Sequence, residues 1–197
     1  NVMKHRQDSG MEFEYPQNLV VDNFPANNRS LRIAVVSETY PPEVNGVAVT
    51  LSKVVDGLRS ANHAVQLIRL RQGGTDAASQ DDMYAGYQEV LMRGFPIPNY
   101  PDLCMGMPSK SALIKLWQLK RPDIVHIATE GPLGWSALRA AMYLKLPVST
   151  DYRTNFQSYS KHDGVDWLQK PIVAYLRKFH NRTLCTMAPT QAMHDQL

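Results

Sequence analysis

Leu31-Arg32-Ile33-Ala34-Val35-Val36-Ser37-Glu38-Thr39-Tyr40-Pro41-Pro42-Glu43-Val44-Asn45-Gly46-Val47 is the stretch on which the reading of this chain turns. Its first half is a short, nearly continuous apolar run, the pattern of a strand buried on both faces of a parallel sheet. A polar, proline-broken turn follows. Beyond it the apolar residues Val47, Leu51, Val54, Val55, Leu58 and Ala61 recur at the spacing of one helix face. Asn45-Gly46 stands where that helix begins. Glycine there lets a ligand come close to the backbone, and the unpaired amides and dipole of a helix start favour an anion such as phosphate. Strand, glycine turn and helix form the opening of a nucleotide-binding α/β domain. Neither G-x-G-x-x-G nor the Lys-Ser/Thr ending of a P-loop is present. On residues alone, Gly46 reads equally as a tight connection.

The chain of 197 residues supports one domain with a real core. Its 44% hydrophobic and 20% charged residues are those of an ordinary globular protein. A net charge of +3 is too small to argue for nucleic acid, though it suits an anionic membrane surface. No apolar run approaches about 18 residues, so no transmembrane helix is expected. Residues 1–30 are polar, carry Pro16 and Pro25, and read as an arm or leader rather than a signal peptide; Leu19-Val20-Val21 could add to a sheet edge. Cys104 and Cys185 are isolated, without metal-binding spacing, as in a reduced, cytoplasmic protein.

Downstream, the pattern alternates. Strands are expected at 64–70, 90–92, 123–128, 147–150 and 183–187, and helices from Ser109 to Lys120, from Leu133 to Leu144, over 166–180 and after Pro189. Asn62 is suited to a left-handed helix end. Residues 93–102, with three prolines, are expected to lack regular structure and either to line a site or to cross the surface. The whole reads as a doubly wound, Rossmann-like parallel α/β sheet.

In such sheets ligands bind beyond the carboxyl ends of the strands, where strand order reverses. Loops 38–46, 129–134 and 151–159 leave those ends. His126 reads as a hydrogen-bonded core histidine or a catalytic group. Glu130, in a loop at a strand end, could contact a ligand. Tyr40 and Tyr159 offer flat faces for a ligand, or simply pack their loops. Arg153 could clamp an anion or pair with Asp151 or Glu130.

The same loops carry a family resemblance. Glu38 to Val47 resembles the first loop of retaining glycosyltransferases of the GT-B fold, family four, roughly (S/T)-(D/E)-x-(Y/F)-x-P-x-x-x-G-(G/V). Pro122-Asp123-Ile124-Val125-His126 through Pro132 and Gly134 is similar to the family's P-D-(I/V)-(I/V)-H segment. Tyr152-Arg153-Thr154-Asn155 through Tyr159 is similar to its Y-H-T-N/H segment, and Met187-Ala188-Pro189-Thr190 stands where the family has V-P-S. Ala128 and Arg153 replace histidines common in the family.

The resemblance implies one half of a GT-B fold. Residues 31–197 would be the acceptor-side domain, inactive alone, with the nucleotide-sugar-binding domain beyond Leu197. It implies sugar transfer with retention from a nucleotide-diphosphate sugar, needing no cofactor, to a sugar or lipid. The wording leans toward the lipid-directed mannosyl- and sulfoquinovosyltransferases. Asn45, Gly46 and Val47 would meet the donor phosphate. Tyr40, Arg153, Thr154, Asn155 and Tyr159 would meet the acceptor, and Glu130 and His126 would be the catalytic candidates. The basic, aromatic helix expected at 166–180 could rest on the inner face of the membrane, or its apolar side could pack on the sheet. A nucleotide-sugar 2-epimerase of the same architecture and a stand-alone binding module remain the alternatives.

Overall fold

Arg32–Ser37 forms strand β1, buried in all but its first residue. Successive side chains of a strand point to opposite faces. Ile33 and Val35 accordingly pack with Leu51 and Val55 on one side, while Ala34 and Val36 join Leu113, Trp117, Leu133 and Leu138 on the other. That double burial is why the run is apolar without alternation. The computed structural model describes residues 29–43, 45–73, 76–78, 86–97, 100–153 and 169–194.

Helix α1 (Gly46–Ser60) returns the chain to β2 (Ala64–Leu70), and β3 (Tyr87–Met92) follows. Next come β4 (Gly94–Ile97), β5 (Tyr100–Gly106), α2 (Lys110–Leu119), β6 (Ile124–Ile127), α3 (Pro132–Tyr143) and β7 (Val148–Asp151). Helix α4 (Gln169–His180), β8 (Cys185–Met187) and the single turn α5 (Gln191–His194) complete the described chain. Six strands lie in the order β3-β2-β1-β6-β7-β8, all pairs parallel. The order runs outward from β1 to β3 and then resumes on the other side of β1 at β6. This is the doubly wound sheet that the alternation predicts.

Asn62 holds the left-handed conformation expected of it, with φ of 61°. Its amide bonds Arg59 O at 2.9 Å and that of His63 bonds Leu58 O at 3.0 Å, the paired closure of a Schellman motif. Lys145 ends α3 in the same way, with φ of 53° and amides of Lys145 and Leu146 on Met142 O and Ala141 O.

Two expectations fail. The stretch 93–102 is not wholly irregular: within it β4 and the start of β5 pair antiparallel, with the register shifting between Pro96 and Ile97. A two-stranded ribbon leaves each strand a free edge, where a proline without an N–H costs no ladder bond. Ser109 stands at the N-cap of α2 but does not cap it; its hydroxyl donates to Met107 O at 2.8 Å, while its amide donates to Ser136 Oγ at 2.9 Å. The 19–21 patch and residues 166–168 lie outside the described residues. Among the described residues no helix is long and apolar enough to cross a membrane.

Helix α3 lies against the sheet at a close approach that Gly134 makes possible. A Cβ there would overlap the Thr129 carbonyl and come within 3.2 Å of Ile127 Cγ2. Since backbone cannot yield as a side chain can, Gly134→Ala is expected to lower stability by about 2–3 kcal/mol in denaturant titration.

Candidate functional site

The reversal of strand order opens a crevice beyond the carboxyl ends of β1 and β6. Loop 38–45 leaves β1 there and loop 128–131 leaves β6. The Glu38 amide donates to Thr129 Oγ1 at 2.9 Å and ties the two together. Each loop ends at a helix start, so two sets of unpaired amides flank the crevice. They are treated in opposite ways.

At α3 the amides are already taken. The Glu38 carboxylate accepts from Leu133 N at 2.7 Å and from Gly106 N at 3.3 Å, joining β1, the hairpin and α3 in one clasp. A Cβ on Gly131 would overlap the Glu38 carboxylate, and one on Gly106 would meet Leu133 Cβ at 2.7 Å. Burial pushes the Glu38 carboxyl above its usual range, although the amides of Leu133, Gly106 and Gly134 oppose the shift.

At α1, among the described residues, the first-turn amides of Gly46 and Val47 have no acceptor. Asn45 is the N-cap and its Oδ1 accepts the Ala48 amide at 2.8 Å; its Nδ2 donates to Thr39 Oγ1 at 2.6 Å and Glu43 Oε1 at 2.7 Å. The amides of Gly46 and Val47, in the first turn, have no helical acceptor by geometry. A Cβ built on Gly46 meets nothing within 4 Å, and its φ is not positive. Folding therefore does not require glycine at this position, in contrast to Gly131 and Gly134. Tyr40 is half-buried against the α1 face of the sheet, and burial raises its hydroxyl.

The remaining candidates are held by neighbours. His126, 7% exposed on β6, shares a hydrogen bond from Nδ1 with Ser149 Oγ at 3.1 Å and places Nε2 3.5 Å from Asp151 Oδ2. Arg153 donates from Nε to the same oxygen at 2.6 Å. Arg153 is thus paired with Asp151, one of the two readings open from the sequence. Burial alone would raise the Asp151 carboxyl; the hydrogen bond and charge of His126 and the Arg153 guanidinium outweigh it and hold Asp151 below its ordinary value. Glu130, 8% exposed, points its Oε1 to within 3.3 Å of His180 Nε2 on α4 without hydrogen-bond alignment, and its carbonyl accepts the Tyr175 hydroxyl. His180 Nδ1 bonds Thr150 Oγ1 at 2.9 Å. Thr154, Asn155 and Tyr159 lie outside the described residues.

The residues brought together are therefore Asn45, Gly46, Val47 and Tyr40 on one side, and His126, Glu130 and Arg153 on the other. The sequence reading did not single out Asp151 as the hub of the second group, nor His180, nor the buried Arg69. A charged residue inside the apolar run 64–70 was the available sign of the last. Among the described residues no group of three His, Cys, Asp or Glu is placed to hold a metal ion. A groove of ≈ 300 Å³ between Arg32, Gln66, Tyr87 and Arg121 lies at the amino ends of the strands, away from the crevice.

The model of Glycosyltransferase Family 4 matches residues 44–197, most of the chain. The chain belongs to glycosyltransferase family 4. Relatives include a GDP-mannose-dependent alpha-mannosyltransferase of Corynebacterium glutamicum, 28% identical over 86% of this chain and 40% of the relative. Sulfoquinovosyl transferase SQD2 of Arabidopsis thaliana is 25% identical over 84% of the chain and 32% of its own length. Alpha-monoglucosyldiacylglycerol synthase of Streptococcus pneumoniae is 26% identical over 85% and 37%. The chain thus spans two fifths or less of the length of these three relatives. A solved UDP-GlcNAc 2-epimerase from Methanocaldococcus jannaschii shares 13% identity over 84% of this chain and 41% of its own, at a TM-score of 0.49, too distant to bear on fold or activity.

In this family 4 domain the clasp and the Asp151 hub give two tests. Glu38→Ala strands the Leu133 and Gly106 amides at a helix start and is expected to cost about 1–2 kcal/mol in chemical denaturation. Asp151 is held below its unfolded value of 3.8, so the stability it contributes is present above that pH and disappears as the pH falls through its lowered value. Asp151→Asn should therefore cost about 2 kcal/mol at pH 7 and progressively less below pH 4, measured as the difference between the two unfolding curves.

Proposed function

We propose that this chain is the acceptor-side domain, residues 31–197, of a retaining glycosyltransferase that moves a sugar from a nucleotide-diphosphate donor to an acceptor of lipid character. The observation that carries the reading is the open, capped start of α1 at the reversal of strand order. Gly46 sits there with free space over its backbone and no folding reason to be glycine. A diphosphate leaving the sugar gathers negative charge, and fixed amides of Gly46 and Val47 beside the positive end of α1 stabilise that charge without having to reorganise. No carboxylate nucleophile is needed in such a scheme, in which the leaving phosphate helps deprotonate the acceptor.

On the other wall Arg153 binds an anionic group of the acceptor. Its Nε is occupied by Asp151, and the terminal nitrogens of the guanidinium serve the ligand. Tyr40, from the α1 side, adds an apolar face to the acceptor site, which Thr154, Asn155 and Tyr159 also line. His126 and Glu130 act through what they hold: His126 keeps Asp151 ionised and aligned under Arg153, and Glu130 is braced by α4. The name of one relative, which includes diacylglycerol, supports a lipid acceptor. Peripheral membrane contact through 166–180 fits α4 in a particular way. Leu176, Phe179 and His180 face inward, whereas Lys170, Ala174 and Lys178 are exposed. Its contact with a bilayer is therefore electrostatic, through lysines on an anionic leaflet, rather than insertion of an apolar face.

The natural full-length protein, incubated with a panel of nucleotide sugars and a bacterial lipid extract, should yield a glycolipid and free nucleoside diphosphate by mass spectrometry. A rearranged sugar nucleotide without an acceptor product would favour the epimerase instead. Gly46→Ala separates folding from function: stability should rise by about 0.4–1 kcal/mol, because the site is open and helical, while kcat/KM for the donor falls by about tenfold or more as the methyl group shields the amides.

A further inference from the structure

We propose that Gln72 is a positioning residue for the diphosphate site, holding the Glu43 carboxylate away from the first-turn amides of α1. This rests on the donor reading given above for Gly46 and Val47.

The support begins in the sheet. Arg69 lies on β2 and is 5% exposed. A buried guanidinium is tolerated only when its charge and donors are met. Asp76 meets it with two parallel bonds, Nη1 to Oδ2 at 2.6 Å and Nη2 to Oδ1 at 2.8 Å. Its Nε donates to Glu89 on β3, and Nη1 also reaches Leu70 O at 3.0 Å. Hydrogen bonding to Arg69 holds Asp76 below the usual carboxylate range. Asp76 is thereby anchored, and with it the segment that follows β2, because Asp76 Oδ2 also accepts the Gln72 amide at 2.7 Å.

From this fixed backbone the Gln72 side chain crosses to the first loop. Its Nε2 donates to Tyr40 O at 2.7 Å and lies 3.4 Å from Glu43 Oε2. The other Glu43 oxygen accepts from Asn45 Nδ2. The loop cannot brace itself with backbone bonds at Pro41 and Pro42, which have no N–H to give. Support from outside is what the arrangement supplies.

The consequence concerns charge. Glu43 stands three residues before α1, close enough in sequence for its carboxylate to compete for the helix start. The same fold shows a carboxylate at a helix start: Glu38 accepts the Leu133 amide of α3. Burial raises the Glu43 carboxyl, with its bonds to Thr39 and Asn45 opposing. Gln72 contributes an uncharged donor that occupies Glu43 and keeps it turned toward Asn45. With Gln72 present the amides of α1 are left for the diphosphate; without it Glu43 takes them.

The test is calorimetric binding of GDP and UDP to the full-length protein carrying Gln72→Ala, Gln72→Ala with Glu43→Gln, or Gly46→Val. Gln72→Ala should weaken the tighter nucleotide about tenfold, and the added Glu43→Gln should restore most of that loss, because an amide carries no charge to compete with phosphate. A loop merely loosened by losing Gln72 would not be rescued by neutralising Glu43. Unchanged affinity in Gln72→Ala, or a double variant as weak as the single, overturns the inference. Unaltered affinity in Gly46→Val overturns the donor reading as well, whereas weakening there with normal Gln72→Ala binding rejects only the role of Gln72.

Discussion

Strand β1 hydrogen-bonds in parallel to β2 on one side and β6 on the other, and both of its faces are covered. Everything chemical follows from that placement. A central strand must emerge at its carboxyl end between two chains whose connections leave in opposite directions. A crevice is the unavoidable result. The turn that follows β1 and the turn that follows β6 therefore face each other. Each delivers a helix start with amides that its own helix cannot satisfy.

The protein resolves these two starts differently, and the contrast explains much of the local sequence. At α3 an internal carboxylate, Glu38, serves as permanent anion. Glycines at 106 and 131 are required because a Cβ would collide with α3 or with Glu38. At α1 a neutral cap, Asn45, bonds one amide and leaves the turn accessible. Gly46 has no neighbour within 4 Å of a built Cβ, so packing does not demand glycine there. One helix end is thus structural and the other is available to a ligand, although both arise from the same strand-turn-helix unit.

Charge inside this domain is accordingly local and paired. Arg69 is enclosed by Asp76 and Glu89, Asp151 by His126 and Arg153, and Glu130 faces His180. Such pairs contribute little net stability, since desolvation offsets most of their attraction, but losing one partner is costly. Their value lies in orientation. Each fixes a loop that carries no regular structure of its own, and each stands at the carboxyl end of a strand, where the crevice opens. Helix α4 joins this system from outside the sheet, through His180 and through the Tyr175 hydroxyl on the Glu130 carbonyl.

Periodicity determined the alternation of strands and helices in the parallel doubly wound sheet, and the residue type at Asn62 determined the left-handed turn there. These follow from nearest-neighbour chemistry: buried strands must be apolar throughout, helices must show one apolar stripe, and asparagine accepts positive φ. The loop wording was also enough to indicate the family. Only the tertiary structure decided the hairpin of β4 and β5, because a proline is harmless or fatal according to which edge it occupies. Only it showed that Glu38 fills one helix start, that Arg69 reaches Asp76, that Asp151 gathers His126 and Arg153, and that Gly46 has open space above it where Gly106, Gly131 and Gly134 do not. Those are distances between residues remote in sequence, and they are set by how the sheet stacks its strands rather than by any local preference.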